Sequence, residues 1–235
     1  MSNYEQIKRD VCQANKEIPQ HNLAIFTFGN VSVYDEQEGV VAIKPSGVAY
    51  KDLAEEDIVV LDTEGTVVEG KLRPSSDTPT HLYLYKNFKG IKGVIHTHSP
   101  YATSWAQACR DIPVYGTTHA DHMPVPIPCV PLMAREEVEG DYEVETGRSI
   151  VNHFKKMDID PVHCPMMLVA GHGPFALGKT AEEALYNGVV LEQIAFMAWL
   201  TESLNNAKEL PKYYIDKHFL RKHGPEAYYG QTNDG

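Results

Sequence analysis

The sequence predicts a protein of mixed α/β class whose strands are largely antiparallel. Short apolar runs in the first third of the chain are joined by turn sequences such as Asp-Glu-Gln-Glu-Gly at positions 35–39, a pattern typical of hairpins. Further along, such runs alternate with segments whose apolar residues recur every three or four positions, which is the period of a helix. Hydrophobic residues make up 43% of the 235 residues, which is ample for a core, and no linker divides the chain. We therefore expect one domain over residues 1–235.

A helix and four strands are predicted in the first quarter of the chain. Ile7, Val11, Ala14 and Ile18 give one apolar helical face that ends near a proline. The strand-like runs that follow lie at 25–28, 31–34, 40–43 and 58–61. Two small polar segments interrupt them, Gly-Asn at 29–30 and Lys-Pro-Ser-Gly at 44–47, and turn chemistry accounts for both.

The next helix is predicted over residues 80–88, and its start leaves Asp77 with two possible roles. Asp77 can be the N-cap of this helix. However, Thr78 followed by Pro79 already supplies a cap and a first helical residue, which frees Asp77 to point elsewhere. The two serines just before it offer hydroxyl and N–H groups to an anion at a helix start.

A buried strand then ends in a pair of histidines. The strand period of two places His96 and His98 on one side, with Cα atoms roughly 6.6 Å apart, close enough for two imidazoles to share one Zn²⁺. Ser99 and Pro100 follow as an N-cap and a first helical residue, so a helix is predicted over 101–109. The alternative is two histidines on an exposed edge, hydrogen-bonded to water or carbonyl groups.

The proline-rich region at 114–131 contains three protonatable groups within four residues: His119, Asp121 and His122. Metal ligands so close together would need a sharply bent backbone, so the spacing favours acid–base chemistry. A structural hydrogen-bonding cluster is the other interpretation.

A third candidate ligand follows the apolar strand at 166–170. Glycines on both sides of His172 permit a sharp turn that projects the imidazole clear of the sheet. The same glycines satisfy a loose dinucleotide-binding fingerprint, but that motif needs a helix to open directly on them. Here 175–178 has the pattern of another short strand, and the next helix is capped by Thr180, with Glu183 completing a capping box.

The remaining helices are predicted over 144–157, which is amphipathic, and over 181–204, which is apolar on several sides. The tail at 211–235 is too polar for a core and too aromatic for a free linker. We expect it to dock at a subunit interface.

Charge and composition exclude some classes of partner. The formal net charge is −11 and no block of Lys or Arg could follow a phosphate backbone, so nucleic acid is not an expected partner. An anionic ligand would have to be held by local N–H groups and one or two cations. The four cysteines form no Cys-x-x-Cys pair, and no secretory signal or apolar run of membrane length is present, which predicts a cytoplasmic protein without a membrane partner.

Taken together, six motifs resemble the class II sugar-phosphate aldolase and adducin-head family over nearly the whole chain. They are Gly29-Asn30-Val31-Ser32, Lys44-Pro45-Ser46-Gly47, Ser75-Ser76-Asp77, His96-Thr97-His98, Gly171-His172-Gly173 and Tyr228-Tyr229-Gly230-Gln231. The resemblance implies an α/β/α layered fold around a central, mainly antiparallel sheet. It also implies a homotetramer with active sites between subunits.

The resemblance further implies a role for each matching residue. One Zn²⁺ per subunit would be bound by Asp77, His96, His98 and His172, and Asp77 stands where the aldolase branch has Glu. Asp121 and Tyr229 would be the acid–base pair, with Tyr229 supplied by a neighbouring subunit. A substrate phosphate would be held by Gly29, Asn30, Lys44, Ser46, Gly47, Ser75 and Ser76, and the substrate would also approach Thr117 and Glu143.

The resemblance is to the epimerase branch of the family, which implies inversion of carbon 4 in a ketopentose phosphate. The proton on that carbon is not acidic, because it is two bonds from the carbonyl carbon. Inversion therefore needs transient oxidation or cleavage of the C3–C4 bond, and no credible nicotinamide site was found. Cleavage uses a Lewis acid, the service that zinc offers. Two alternatives remain: an aldolase that releases its fragments, and a non-catalytic assembly module like the adducin heads.

Overall fold

The computed structural model describes residues 4–228. No helix in this range is long and apolar enough to cross a membrane. The helices are α1 (Glu5–Glu17), α2 (Thr78–Asn87), α3 (Pro100–Gln107), α4 (Thr117–Ala120), α5 (Arg135–Val138), α6 (Tyr142–Lys156), α7 (Ala181–Ser203) and α8 (Lys212–His223).

The described strands form a single eight-stranded sheet in the order β4-β3-β2-β1-β5-β8-β7-β6. All neighbours are antiparallel except β6 and β7, which are parallel. The predicted, mainly antiparallel α/β sheet is therefore confirmed. The strands are β1 (Gly29–Asp35), β2 (Val40–Ile43), β3 (Val59–Asp62), β4 (Val67–Glu69), β5 (Gly93–Thr97), β6 (Cys129–Val130), β7 (Met166–Val169) and β8 (Gly173–Gly178).

Helices cover both faces of the sheet. Successive side chains of a strand point to opposite faces, so the fully apolar strands place apolar side chains on both. On β5, Ile95 packs into a core formed with α1, α3 and α7. Its neighbour Val94 packs on the other face against α2 and α6. His96 follows on the same face as Val94, so the first candidate ligand lies under α2, at the end of a central strand.

The expected strand at 25–28 is wrong. These residues form a bend and turn in which Ile25 and Phe26 are 64% and 75% exposed, and Phe26 has a positive φ of 53°. The expected turn at Gly29 and Asn30 is instead the first part of β1. Gly29 has a φ of +125°, and a Cβ there would lie 2.7 Å from the carbonyl oxygen of His96, so only glycine lets β1 approach β5 this closely.

The N-terminal hydrogen bonds of two helices differ from those predicted. The side chain of Ser99 makes no capping hydrogen bond, and the carboxylate of Glu192 on α7 accepts the N–H groups of Tyr101 and Ala102 at 2.9 and 2.8 Å. At α7 the side chain of Thr180 does cap the helix, but the Glu183 carboxylate accepts the N–H of the residue before Thr180, so the predicted capping box is only half formed.

The first part of the tail forms α8, which packs against α4 of its own chain. The segment 211–235 was expected to dock at a subunit interface. Its first part, α8, instead packs within its own chain, which the sequence did not suggest. Tyr229 lies outside the described residues.

Candidate metal and phosphate site

His96, near the end of β5, uses one of its ring nitrogens in a hydrogen bond to the backbone. Nδ1 lies 2.9 Å from the carbonyl oxygen of Pro174 on β8, and since a carbonyl only accepts, Nδ1 carries the proton. Burial holds the pKa of His96 well below its ordinary value, so the ring is neutral and Nε2 presents a lone pair. A hydrogen bond from the second nitrogen is how metal-binding histidines are usually oriented.

His98 and His172 bring further ring nitrogens to the same point. Ligand atoms of the three histidines all lie within 4.8 Å of one another. The Nε2 atoms of His96 and His98 are 3.1 Å apart, close to the roughly 3.3 Å expected for two nitrogens on one tetrahedral zinc. Burial lowers the pKa of His98 and of His172, which also keeps both rings in the neutral form that binds metal. The donor set therefore fits a divalent cation such as zinc.

Asp77 lies beside this group but is not one of its three members. Its side chain makes no capping hydrogen bond to α2; Oδ2 instead accepts a hydrogen bond of 2.7 Å from Asn30 Nδ2. The carboxylate is thus turned away from the helix, as the Thr78–Pro79 start allowed. Burial alone would raise the pKa of Asp77, but electrostatic interactions with the His96 and His81 rings and the bond from Asn30 lower it, so the group is an ionised carboxylate beside the histidines.

A cavity of about 550 Å³ adjoins the histidines and contains every residue predicted to hold phosphate. These residues come from three separate parts of the sequence. They lie at the start of β1, just after β2 and just before α2, and meet around one opening. The cavity is lined by Thr27, Phe28, Gly29, Asn30, Lys44, Pro45, Ser46, Gly47, Ser75, Ser76, Asp77, His96 and His98.

Lys44 is the cation of this cavity and is only 2% exposed. Its ammonium donates to the carbonyl oxygen of Pro45 at 3.1 Å and lies over the ring of Tyr50 at 5.2 Å. Tyr50 in turn donates to the carbonyl oxygen of Gly29 at 2.8 Å. Burial lowers the pKa of Lys44 to about 8. No sequence signal pointed to Tyr50, which contacts both Lys44 and Gly29 at the cavity edge.

The start of α6 supplies a second residue that the sequence did not reveal. The hydroxyl of Tyr142 lies 3.4 Å from His172 Nδ1. Glu143 follows at the next position, where its carbonyl oxygen accepts a hydrogen bond of 2.6 Å from Thr80 on α2. The predicted substrate-contacting residue Glu143 is therefore one position away from a residue that contacts the histidine group.

Thr117 and Asp121 lie elsewhere, at the first residue of α4 and just after its last. Asp121 accepts hydrogen bonds from Arg221 at 2.8 Å and His218 at 2.9 Å, both on α8, and among the described residues neither Asp121 nor Thr117 lines the phosphate cavity. Burial alone would raise the pKa of Asp121, but the bonds from Arg221 and His218 outweigh it and lower the pKa. Within one chain these partners make the carboxylate a weaker base.

Comparison with known proteins assigns this arrangement to a family. Residues 9–199 match the family described as Class II Aldolase and Adducin N-terminal domain, and the chain belongs to that family. Among solved structures, an L-fuculose 1-phosphate aldolase is 25% identical with a TM-score of 0.76, covering 93% of this chain and 95% of that one.

More specific names come from relatives of nearly the same length. A protein of Salmonella paratyphi B (strain ATCC BAA-1250 / SPB7), named L-ribulose-5-phosphate 4-epimerase UlaF, is 49% identical over 228 residues, which are 97% of this chain and 99% of that protein. A Salmonella typhi protein of the same name is 49% identical over the same coverage. The predicted resemblance to the epimerase branch is confirmed.

Proposed function

We propose that this protein is a zinc-dependent L-ribulose-5-phosphate 4-epimerase that forms D-xylulose 5-phosphate by cleaving and remaking the C3–C4 bond. Relatives 49% identical over nearly the whole chain carry the name of this isomerase. The observation that carries the proposal is the convergence of three neutral histidines at the edge of a cavity lined by a lysine and three serines.

His96, His98 and His172 are the proposed zinc ligands, with Asp77 as the fourth. Zinc bound there supplies Lewis acidity toward the oxygens of the ketose. Asp77 is already oriented for this role by Asn30, and its negative charge attracts a cation. A shift of the carboxylate toward the histidines would complete four ligands from one chain.

The substrate phosphate is proposed to lie in the cavity between β1, β2 and the start of α2. Lys44 neutralises part of its charge, and the serine hydroxyls donate hydrogen bonds. The protein as a whole has a net charge of −11, so binding of a phosphate depends on these local donors rather than on a long-range positive field. The cavity residues in this role are Gly29, Asn30, Lys44, Ser46, Gly47, Ser75 and Ser76.

Asp121 and Tyr229 are the proposed acid–base pair at the C4 oxygen. A base takes the proton of the C4 hydroxyl as the C3–C4 bond breaks, leaving the three-carbon enediolate of dihydroxyacetone and glycolaldehyde phosphate. The aldehyde rotates, and addition to its other face returns a proton to that oxygen from the opposite side. The ionised carboxylate of Asp121 is the proposed proton acceptor and the phenol of Tyr229 the proposed donor. The hydrogen bonds from Arg221 and His218 lower the pKa of Asp121 and so weaken it as a base within one chain. Thr117 and Glu143 are proposed to contact the substrate.

The location of Asp121 supports a site completed by a second subunit. Within one chain it lies at the end of α4, apart from the phosphate cavity, so a neighbouring copy has to present this end of its α4 and its tail to the histidines. We propose a homotetramer in which each single-domain chain does so for the next. Large exposed apolar side chains are available for such contacts, including Phe26, Phe28, Trp199 and Leu204. The proposed location is the cytoplasm, where sugar phosphates are metabolised.

The experiment is an assay of the purified protein, without tag or added metal, on L-ribulose 5-phosphate together with elemental analysis. We expect about one zinc per subunit and formation of D-xylulose 5-phosphate. Accumulation of two- and three-carbon fragments instead would favour the aldolase alternative, to which the likeness to L-fuculose 1-phosphate aldolase points. Absence of bound divalent metal together with no gain of activity on adding zinc would reject the catalytic proposal.

A further inference from the structure

A buried hydrogen-bonded chain of three side chains runs behind the histidine group. His81 on α2 is fully enclosed, and its Nδ1 lies 2.7 Å from the hydroxyl oxygen of Ser32 on β1. The same hydroxyl lies 2.7 Å from the phenol oxygen of Tyr85, one helical turn further along. The Tyr85 hydroxyl also lies 2.9 Å from the carbonyl oxygen of Ser32, to which it can donate. These contacts fix the ring of His81 in one orientation.

The other nitrogen of His81 is enclosed without a partner. Nε2 has no accessible surface and no hydrogen bond to any residue between 4 and 228. Buried polar atoms in folded proteins nearly always have a partner, and an exception calls for an explanation. A partner that arrives only when the site is loaded is one such explanation.

The position of His81 indicates which group that partner is. It lies four residues after Asp77, the residue just before α2, and residues four apart are neighbours on a helix surface. Burial lowers the pKa of His81, and the nearby Asp77 carboxylate acts in the opposite direction. The His81 ring also contacts Phe175, with ring centroids 6.2 Å apart, and Phe175 stacks on His96 at 4.2 Å. His81 is thus beside one candidate ligand and is linked to another through Phe175.

The proton of the neutral ring can be on either nitrogen, and the hydrogen bonds to Ser32 and Tyr85 accommodate both forms. With the proton on Nε2, Ser32 donates its hydroxyl proton to Nδ1 and the single proton of Tyr85 is shared between the two oxygens of Ser32. The charge of Asp77 decides for this form. An N–H directed to the side of the ionised Asp77 is electrostatically better than a lone pair there.

We propose that His81 is a positioning residue for Asp77, and that its Nε2–H donates to the Asp77 carboxylate when the histidine group holds its metal. Asn30 already holds Oδ2 of that carboxylate at 2.7 Å. With His81 donating as well, the carboxylate is fixed from two sides, and its remaining lone pairs can be directed at the cation. This inference rests on the proposed metal site, and it adds a residue that controls how tightly the site binds.

The test measures zinc affinity in three variants by competition with a chromophoric chelator. His81→Phe keeps the ring volume and removes both nitrogens, and we expect zinc affinity to fall by about 10- to 100-fold, as is typical when a residue that orients a ligand is lost. His81→Gln restores an N–H near the Nε2 position and should recover most of that loss. Tyr85→Phe removes the far end of the hydrogen-bonded chain and leaves Nε2 in place, so its zinc affinity should stay close to that of the unmodified protein.

A cobalt-substituted sample gives a readout that general loosening of the fold does not reproduce. The visible absorption of Co²⁺ reports ligand geometry, and we expect it to change in His81→Phe but not in Tyr85→Phe. Unchanged zinc affinity and unchanged cobalt absorption in folded His81→Phe would overturn the proposal. Absence of zinc binding in the unmodified protein would reject the metal site itself, which is a different outcome.

A measurement without any variant covers the case in which His81→Phe does not fold. In a crystal structure of the zinc-loaded protein, Nε2 of His81 should lie within about 3.2 Å of an Asp77 carboxylate oxygen. A distance well beyond hydrogen-bonding range, or a water between the two groups, would contradict direct positioning.

Discussion

At the residue scale, Lys44 is almost completely buried, yet its proposed role in binding phosphate needs its positive charge. Burial lowers its pKa to about 8, whereas the unfolded chain keeps the ordinary value near 10.4. Folding therefore disfavours the charged form. This cost is fully present below pH 8, and it decreases as the pH rises from 8 toward the unfolded value, where both states are neutral. A bound phosphate offsets the cost by stabilising the ammonium.

This leads to a pH-dependent binding prediction for a non-reactive phosphate monoester such as 2-phosphoglycolate. Its affinity should weaken as the pH rises through about 8, by up to about tenfold per pH unit, because the free protein loses the Lys44 charge. Isothermal titration calorimetry between pH 7 and pH 9.5 measures this.

Two substitutions at the same position are the controls for that experiment. Lys44→Arg keeps its charge over the whole range and should show no break near pH 8. Lys44→Met should bind weakly and without a break in this range. A break of equal size in Lys44→Met would mean that another group titrates, and the role assigned to Lys44 would be wrong.

Strand period and glycine spacing pointed to the three histidines as candidate ligands, because each follows directly on an apolar strand. Apart from the two serines before α2, the candidate phosphate residues came only from the family resemblance, since each short polar segment alone is equally consistent with a turn. His81 could not be found in this way. In the sequence it is one polar residue inside an otherwise ordinary helix, and only its burial and its enclosed nitrogen distinguish it. The environment of Asp121 was equally hidden, since its partners on α8 are about 100 residues away in the chain.

At the element scale, α3 depends on a distant carboxylate for its start. The sequence offered Ser99 as the N-cap, but Glu192 of α7 accepts the first free N–H groups instead. A carboxylate at a helix N-terminus is favourable both as an acceptor and through the helix dipole. Because α3 follows directly after His98, this contact also fixes where the ligand-bearing segment leaves the sheet.

We predict that Glu192→Gln lowers the free energy of unfolding by about 1–2 kcal/mol per chain, since a neutral amide oxygen replaces a charged acceptor of two N–H groups. Chemical denaturation at fixed protein concentration measures the change. Glu38→Gln, in the exposed turn after β1, is the matched control and should change stability by less than about 0.5 kcal/mol. Equal stability of Glu192→Gln and the unmodified protein would show that α3 does not need this cap.

The sequence failed at the element scale where apolar residues are exposed. The run at 25–28 has the composition of a strand, yet Ile25, Phe26 and Phe28 are all more than half exposed in a turn. Strand propensity reflects a half-buried pleated surface, and within residues 4–228 of one chain this segment stays exposed. The prediction of the hairpins and of the central helices succeeded because their apolar periodicity is matched by burial within the same chain.

At the scale of the whole molecule, the division of the proposed site between α4 and the histidine cavity makes activity depend on assembly. In the proposed arrangement Tyr229 and Asp121 of one chain serve the zinc of another. Tyr229→Phe and His98→Asn are therefore complementary lesions: each is expected to be inactive alone, for loss of the acidic phenol and of a metal ligand respectively.

Hybrid tetramers of these two variants should recover part of the activity. Some sites in them combine an intact metal group from one chain with an intact Tyr229 from another, so mixing after reversible dissociation should yield turnover that neither variant shows. Native mass spectrometry verifies the hybrids, and mock-mixed single variants are the controls. No turnover in verified hybrids would reject the shared site and leave the zinc chemistry untouched.

The register between β1 and β5 has a consequence for which sugars fit. Asn30 is paired directly with His96, so the wall of the proposed phosphate cavity and the first proposed metal ligand are opposite members of one backbone ladder. The proposed span from phosphate to metal is then set by main-chain hydrogen bonds, which side-chain replacements hardly alter. In the proposed function this fixed distance limits the number of carbons between a phosphate ester and the oxygens that reach the cation. Redesign toward shorter or longer ketoses would have to shift a strand, not exchange a side chain.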